Sequence, residues 1–208
     1  MHFDDFLSDA KLHIKTTGRE DSCSNAMVFP YEPTSYSVLE RLAQEGWISK
    51  EDHLIDYGSG LGRVPIYLAD RIGCRTTGVE MAVKYHEQAL LNLEAYLGEH
   101  ENHLIGFCNK KAQEYILPDT ANRLFFFNPF HLKTFKLVMR NVLDSYRKNP
   151  RNIRMFFYYP QDAYISYLSG LSEVMFLDEI DCRDLFEEED NRNRIMIFET
   201  PGEDECSE

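Results

Sequence analysis

Cysteine is scarce in this sequence, and apolar runs of membrane-spanning length are absent. The five cysteines are odd in number, lie far apart and form no C-x-x-C pair. This spacing argues against a zinc site and a disulfide framework, and it is typical of a reduced cytosolic chain. The opening residues, MHFDDFLSDAKLH, carry acids and no apolar segment of the signal-peptide kind. We therefore expect a cytoplasmic protein with no metal, no leader and no membrane span.

Positive charge is also scarce. Lysine and arginine together number 22, against 35 aspartates and glutamates, so the formal net charge is -13. Such a charge repels phosphate backbones and anionic lipid, which makes nucleic acid or a membrane surface a poor main partner unless a local basic patch exists. Disorder is not expected, because 43% of the residues are hydrophobic and 13% are aromatic.

A chain of 208 residues fits a single domain. We expect residues 1–46 to form N-terminal helices and a lid-like loop, residues 47–200 to form the core, and residues 201–208 to form an acidic tail. The loop is predicted over residues 16–34, and Arg19 within it is a candidate lid residue.

Two helices are predicted before the core. Apolar residues at helical spacing predict one over residues 2–15 and a second over residues 35–46. Ser37 and Glu40 have the spacing of a capping box, and Gly46 stands where a glycine ends a helix.

The rest of the chain alternates between apolar strand-like runs and helical segments. Several runs are apolar throughout, as a parallel sheet covered on both faces requires, so we expect a doubly wound α/β fold. The last two strands have no helix between them, only an acidic stretch predicted to be a solvated loop, and should pair as an antiparallel hairpin. The predicted strands are 53–58, 76–81, 103–108, 123–128, 153–159, 173–180 and 194–200, and the helices are 62–72, 82–98, 133–147 and 163–169, with a helical turn around Gln113.

A glycine-rich loop, GSGLGR, follows the first of these strands. Gly58 and Gly60 match the first two glycines of the dinucleotide fingerprint G-x-G-x-x-G, but Arg63 occupies the third position. The third glycine is Gly62 instead, and the Lys-Ser/Thr ending of a P-loop is missing. The pattern that remains is D-x-G-x-G-x-G, beginning at Asp56.

Two acids indicate which nucleotide-like ligand the loop binds. Glycines let the backbone approach a ligand closely. Asp56 at the strand end attracts an ammonium or sulfonium and repels a pyrophosphate, which favours S-adenosylmethionine over a dinucleotide. Glu80 ends the second strand, where its carboxylate can accept hydrogen bonds from both ribose hydroxyls. Glu80 fits either ligand, so it predicts a ribose without choosing the cofactor.

The chain from about residue 31 to residue 200 resembles a class I S-adenosylmethionine-dependent methyltransferase. The matching stretches are LIDYGSGLGR, GVEM, NKKAQEY and FFFNPF. The resemblance implies a seven-stranded, mostly parallel sheet whose last, antiparallel strand lies between the fifth and sixth. It implies S-adenosylmethionine as cofactor, S-adenosylhomocysteine as its product, and donor contacts from Met81, Ala112 and Gln113, the last two against the adenine.

A second resemblance precedes the glycine loop. The stretch YEPT is similar to the Y-x-P-T segment of the non-SET histone lysine methyltransferases, which implies that Tyr31, Pro33 and Thr34 line the donor pocket. The match is too short to imply a histone substrate. Alternatively, this is a loop in which Thr34 or Ser35 begins the helix. Arg63 likewise either reaches the donor carboxylate or simply begins its helix.

The stretch FFFNPF resembles the N-P-P-[YF] motif of amino methyltransferases, with one proline fewer. The resemblance implies that Asn128 accepts hydrogen bonds from an amine and that Phe130 presents an aromatic face to it, so we predict both as catalytic residues and Asn128 also as a contact of the methyl donor. Alternatively, Asn128 caps the next helix and Phe130 only packs. Tyr159 is a further candidate for the acceptor pocket.

The sequence thus predicts a methyltransferase whose acceptor is unidentified, with a nitrogen of a small molecule or a protein side chain as the expected target. Two other classes remain open. One is a non-catalytic module that binds S-adenosylmethionine as a sensor or scaffold. The other is an NAD(P)-dependent oxidoreductase, against which Arg63, Asp56 and the terminal hairpin count.

Overall fold

The computed structural model of the chain describes residues 3–18, 31–100 and 104–202. Arg19, most of the predicted lid-like loop and most of the predicted acidic tail lie outside these residues. Within them, no helix is both long enough and apolar enough to cross a membrane.

Seven strands of the described residues form one sheet. They are β1 His53–Tyr57, β2 Arg75–Glu80, β3 Ile105–Asn109, β4 Arg123–Phe127, β5 Arg154–Tyr158, β6 Met175–Asp181 and β7 Arg194–Glu199. Their order across the sheet is β3-β2-β1-β4-β5-β7-β6. The first five strands pair in parallel, and β7 runs antiparallel to both β5 and β6. The predicted fold class, the terminal hairpin and the position of the last strand are therefore confirmed.

Six helices of the described residues flank the sheet, and each corresponds to a predicted one. They are α1 Phe3–Lys11, α2 Tyr36–Gln44, α3 Arg63–Ile72, α4 Val83–Leu97, α5 Leu132–Lys148 and α6 Asp162–Leu168, with short 3₁₀ turns at Ala112–Glu114 and Arg183–Leu185. The first helix is shorter than predicted, because it ends at Lys11 and His13 then adopts a positive φ of 57°.

The apolar strands are covered on both faces. Phe125 and Phe126 are neighbours on β4, so their side chains point to opposite faces, yet both are fully buried. The same is true of Phe156 and Phe157 on β5. One apolar layer packs beneath α5 and α6 and the other beneath α2 and α3. This is the arrangement that the uninterrupted apolar runs predicted.

The start of α2 differs from the prediction. The helix begins before Ser37, with Ser35 as its N-cap residue and no side-chain capping bond. Glu40 accepts two hydrogen bonds from Arg71 instead. The predicted capping box is therefore wrong, because the carboxylate finds a partner on a neighbouring helix. Gly46 has a φ of 75° two residues after the last helical residue, as a glycine stop requires.

Arg63, the first residue of α3, ties the N-terminal segments to the sheet. Its side chain is only 2% exposed. Nη1 donates to Asp5 Oδ2 and to the Thr34 carbonyl, both at 3.0 Å, and Nε donates to Thr16 Oγ1 at 2.7 Å. A second carboxylate, that of Asp9, lies 3.6 Å from Nη2. The guanidinium charge is thus compensated by groups from three separate stretches of chain.

Asp9 is the other centre of this network. Its carboxylate accepts hydrogen bonds from the backbone N–H and the hydroxyl of both Thr16 and Thr17, at 2.6–2.9 Å. The Tyr36 hydroxyl donates to it at 2.6 Å, and the Tyr36 ring lies 4.3 Å from the Arg63 guanidinium carbon. A carboxylate this buried is tolerated because both its oxygens are bonded.

Replacing Arg63 by Met should therefore destabilise the protein strongly. The substitution keeps most of the apolar stem but leaves Asp5 and Asp9 buried without a cation, which costs about 3–5 kcal/mol of unfolding free energy in comparable sites. Urea unfolding measures the loss. Arg71→Met on the same helix removes only the exposed pair with Glu40 and should cost much less. Equal losses for the two variants would contradict the role given to the buried network.

Candidate functional site

The strand order reverses between β1 and β4, and ligands of open α/β sheets bind at such a switch point, beyond the carboxyl ends of the strands. The glycine loop connects β1 to α3 at this edge. Gly58, Gly60 and Gly62 have φ values of 85°, 51° and 90°, which other residues rarely adopt. A Cβ on Gly62 would also lie 2.6 Å from Phe107 Cζ on β3. The backbone therefore requires all three glycines.

The loop also brings two other predicted motifs together. A Cβ on Gly58 would lie 2.7 Å from Pro129 Cβ, in the segment after β4. A Cβ on Gly60 would lie 2.4 Å from Tyr31 Cε2, in the YEPT segment. Three stretches that are distant in sequence thus meet at one place, and they are three of those that carried the resemblance.

Two buried acids flank the loop. Asp56 is 3% exposed and Glu80 is 7% exposed. Glu80 Oε2 accepts from the Gly60 N–H at 3.0 Å, and Oε1 accepts from the Ala82 N–H at 2.7 Å. Burial, followed by the charge of Glu80, raises the pKa of Asp56 well above its ordinary value. Burial also raises the pKa of Glu80, although its backbone hydrogen bonds oppose this. The pair favours a positively charged ligand.

The YEPT segment covers the glycine loop. The Tyr31 ring is nearly buried, and its hydroxyl donates to the Thr16 carbonyl at 2.7 Å. Burial raises the Tyr31 pKa, so the hydroxyl stays protonated. Thr34 is buried, and its carbonyl accepts a hydrogen bond from Arg63. Pro33, which precedes Thr34 in the sequence, is half-buried. Ser35, rather than Thr34, is the N-cap of α2. The structure thus brings Tyr31 to the loop, and the donor contacts of the segment stay predictions.

Arg63 begins α3, as one of its two predicted roles required. Its guanidinium is also bonded to the N-terminal segments, which was not predicted. Contact with a donor carboxylate stays a prediction.

Three further predicted donor contacts, two of them predicted beside the adenine, lie next to β2 and β3. Met81 follows Glu80 and is 42% exposed. Ala112 is buried in the 3₁₀ turn after β3, and the Gln113 carbonyl accepts from Asn141 Nδ2 at 2.6 Å. All of them stand at the edge that carries the glycine loop, and their contact with an adenine is a prediction.

The segments after β4 and β5 share an unusual backbone. Asn128 has a φ of 43° and Tyr159 a φ of 51°, and each is followed by a proline. The two lie side by side, because Phe127 pairs with Tyr158 in neighbouring parallel strands. Non-glycine residues in this region are strained and concentrate at functional sites. Both strands are followed by a residue and then a proline, Asn128-Pro129 after β4 and Tyr159-Pro160 after β5. This repeated pattern is the sequence signal that could have shown that the two segments lie together.

The alternative role for Asn128, capping the following helix, is not what the structure shows. The N-cap residue of α5 is His131. Asn128 Oδ1 instead accepts from Gln161 Nε2 at 2.5 Å. Phe130 is half-buried against the apolar layer, and its backbone N–H donates to the Tyr164 hydroxyl at 3.2 Å. The structure places both predicted catalytic residues beside the glycine loop, and their catalytic roles stay predictions.

The connection between β6 and β7 reaches the same edge. The Tyr159 hydroxyl donates to Asp190 Oδ2 at 2.5 Å, and Arg192 Nη2 donates to the Tyr159 hydroxyl at 2.5 Å. The Arg192 guanidinium carbon lies 4.2 Å from the Tyr159 ring centre. The acidic stretch of this connection, predicted to be a solvated loop, is indeed largely exposed, but Asp190 at its end binds the β5 tip. This contact was not predicted.

Comparisons with known proteins agree with this geometry. A sequence model described as "Histone methylation protein DOT1" matches residues 23–116, which include the YEPT segment, the glycine loop and Glu80. A comparison with proteins of curated function found no match.

Solved structures share the fold at low identity. An RNA methyltransferase from Salinibacter ruber, in complex with S-adenosyl-L-homocysteine, is 18% identical over 82% of this chain and 94% of the other, with a TM-score of 0.53. An rRNA methylase from Streptococcus thermophilus is 13% identical over 83% of this chain and 98% of that one, with a TM-score of 0.54. The mitomycin 7-O-methyltransferase MmcR is 13% identical over 79% of this chain and 53% of that one, with a TM-score of 0.58.

The fold is therefore that of the class I S-adenosylmethionine-dependent methyltransferases. By their names the similar structures methylate RNA and the small molecule mitomycin, so the shared fold does not identify an acceptor. Because RNA methylases are among them, the expectation that nucleic acid is a poor partner stays a prediction.

Introducing a side chain into the glycine loop should disrupt it. Gly58→Ala imposes both a strained φ and a 2.7 Å approach to the Pro129 ring, so we expect a large fall in unfolding free energy and weaker binding of S-adenosylhomocysteine. Gly46→Ala is the matched control, because Gly46 has a similar φ of 75° and open space around it. If the two variants lose the same stability, the close contact of the loop with Pro129 is contradicted.

Asp56 should make the protein less stable as the pH rises. The folded protein retains a proton on Asp56 that the unfolded chain, with an ordinary pKa of 3.8, loses. Its stabilising contribution is thus fully present below pH about 4 and is lost as the pH rises toward the higher folded pKa.

Asn does not titrate, so the unfolding free energy of Asp56→Asn should exceed that of the wild type by an increasing amount above pH about 4, at most about 1.4 kcal/mol per pH unit. Urea unfolding at several pH values measures the difference. Asp178→Asn on the exposed edge strand is the control. Parallel curves for Asp56→Asn and the wild type would contradict the raised pKa of Asp56.

Proposed function

We propose that this protein is an S-adenosylmethionine-dependent methyltransferase that methylates a nitrogen of a protein side chain or a small molecule. The observation that carries the proposal is the meeting of the glycine loop, two buried acids and the Asn128-Pro129 segment at the switch point of a class I methyltransferase fold.

The donor end of the site fits a cation better than a pyrophosphate. Two carboxylates are buried beside the loop, and burial, followed by the charge of Glu80, raises the pKa of Asp56. A sulfonium or ammonium relieves this repulsion, whereas a pyrophosphate increases it. Glu80 already accepts hydrogen bonds from two backbone N–H groups, so its carboxylate is oriented to accept others from ribose hydroxyls.

Bound S-adenosylmethionine supplies a methyl carbon activated by its sulfonium, and its carbon–sulfur bond breaks as the acceptor nitrogen bonds to that carbon. The protein then has mainly to position the acceptor. Asn128 Oδ1 uses one lone pair for Gln161 and has a second to accept a hydrogen bond from an amine N–H. The ring of Phe130 can present an aromatic face to the nitrogen, whereas one face of the Tyr159 ring is already covered by the Arg192 guanidinium.

The charges near the tips of β4 and β5, which we call the acceptor edge, support a basic amine as the acceptor. The chain has a net charge of -13. The carboxylate of Glu32 acts electrostatically on Tyr159 at the β5 tip, whereas the carboxylate of Asp190 is paired with Arg192. The partial match to a histone methylation family supports a protein side chain as the acceptor.

Ligand binding tests the donor assignment. S-adenosylmethionine and S-adenosylhomocysteine should raise the melting temperature, by an amount equivalent to about 2.7 kcal/mol at a hundred times Kd. Glu80→Gln should weaken this shift, whereas Glu45→Gln at an exposed site should not. A shift with NAD or NADP and none with the adenosyl compounds would overturn the proposal.

Transfer of a tritiated methyl group from S-adenosylmethionine tests the acceptor class. Lysine-rich peptides, small amines and total RNA serve as parallel acceptors. We expect label on an amine, and we expect Asn128→Ala to abolish it while retaining the melting shift. Label found on RNA alone would show that the nitrogen assignment to proteins or small amines is wrong.

A further inference from the structure

The first turn of α6 contacts both ends of the segment after β4. Gln161, the N-cap residue of α6, donates from Nε2 to Asn128 Oδ1 at 2.5 Å. Tyr164, three residues later, bonds the backbone of Phe130, accepting from its N–H at 3.2 Å and donating to its carbonyl. Two side chains on one helical turn thus hold the two predicted catalytic residues.

Tyr164 is itself fixed by the core. Its side chain is 1% exposed, and its ring stacks on Phe135, with centroids 3.8 Å apart and an interplanar angle of 6°. Phe135 is fully buried in the first turns of α5. Burial raises the pKa of Tyr164, so its hydroxyl stays protonated at neutral pH. The hydroxyl that holds Phe130 is therefore anchored to a rigid part of the molecule.

Gln161 is placed by the backbone rather than by capping. Glutamine is not among the residues favoured at an N-cap, and here its side chain makes no capping bond. Its carbonyl caps the helix instead, accepting from the Tyr164 N–H at 2.9 Å. The strained Tyr159 and the following Pro160 set the direction in which the chain enters α6. Its amide is therefore left to contact Asn128 across the tips of the two strands.

The hydrogen bond to Gln161 involves the oxygen of the Asn128 amide. A side-chain amide has two orientations of nearly equal shape, with the oxygen and nitrogen exchanged. In the structure Gln161 presents its Nε2, and only the Asn128 oxygen can accept from it. While Gln161 presents this nitrogen, Asn128 is held with Oδ1 toward it and keeps the second lone pair of Oδ1 for an amine.

We infer that Gln161 is a positioning residue that fixes the Asn128 amide with its oxygen available to the acceptor nitrogen, and that Tyr164 holds the adjoining Phe130 in register. This inference rests on the proposed function, because it concerns the acceptor side of the same site.

The test needs no knowledge of the acceptor. Sinefungin is a donor analogue that carries an amine-bearing carbon in place of the methylated sulfonium, so its amine probes the acceptor side, whereas S-adenosylhomocysteine does not. The ratio of their Kd values, measured by calorimetry on the full chain, reports the hydrogen bond to Asn128. We expect Asn128→Ala and Gln161→Met each to reduce the preference for sinefungin about three- to tenfold, with unchanged Kd for S-adenosylhomocysteine.

Further variants separate orientation from general packing. Gln44→Met removes a similar hydrogen bond, to Glu40 on α2, and should leave the ratio unchanged. Asn128→Asp presents an oxygen in either orientation, so adding Gln161→Met to it should change the ratio little. Tyr164→Phe should reduce the preference while retaining the S-adenosylhomocysteine affinity, because the Phe130 backbone loses its partner.

The outcomes distinguish the two proposals. If the wild type binds neither adenosyl compound, the proposed function fails, and this inference fails with it. If both bind but Gln161→Met retains the full preference for sinefungin, the positioning role alone is overturned. An equal loss from Gln161→Met in the Asn128→Asp background would also overturn it, because orientation cannot matter for a carboxylate.

Discussion

The buried guanidinium of Arg63 is the interaction on which the donor end of this protein depends. A positive charge that is 2% exposed must be compensated by nearby acceptors. It takes them from Asp5 on α1 and from the Thr34 carbonyl, which belong to segments far from each other in sequence. Those segments must therefore dock whenever α3 is in place. Docking places Tyr31 over Gly60, so the cover of the glycine loop follows from the compensation of one charge.

The same residue explains why the loop departs from the dinucleotide pattern. The third glycine of that fingerprint allows a helix to pack closely on a strand. Here Gly62 does so one position earlier, with a left-handed backbone against Phe107, and position 63 is released for the arginine. Asp56 and Glu80 then remain as buried acids whose repulsion a cationic ligand can relieve. The predicted ligand preference and the docking of the N-terminal segments thus both depend on residues in and beside one loop.

Much of the fold, and part of the site, could be predicted because both depend on local patterns. Apolar run lengths gave the strands, and residue types gave the glycine loop and its acids. Glu40 could not be assigned correctly, because its carboxylate bonds Arg71 on another helix. The contact of Gln161 with Asn128 was also beyond reach. The two lie 33 positions apart and meet only because β4 and β5 are parallel neighbours.

Sequence motifs pointed to a methyl donor but to no acceptor. The predicted donor contacts lie in and around the glycine loop, whose backbone geometry requires particular residues. At the acceptor edge, Asn128 and Tyr159 hold strained backbones that only the surrounding structure maintains. That structure consists of α6 on one side and, on the other, the β6–β7 connection with Asp190 and Arg192. These elements come from parts of the chain other than the glycine loop, so they can differ between proteins that share the fold. Acceptor choice therefore resides in contacts among side chains distant in sequence, where no single motif records it.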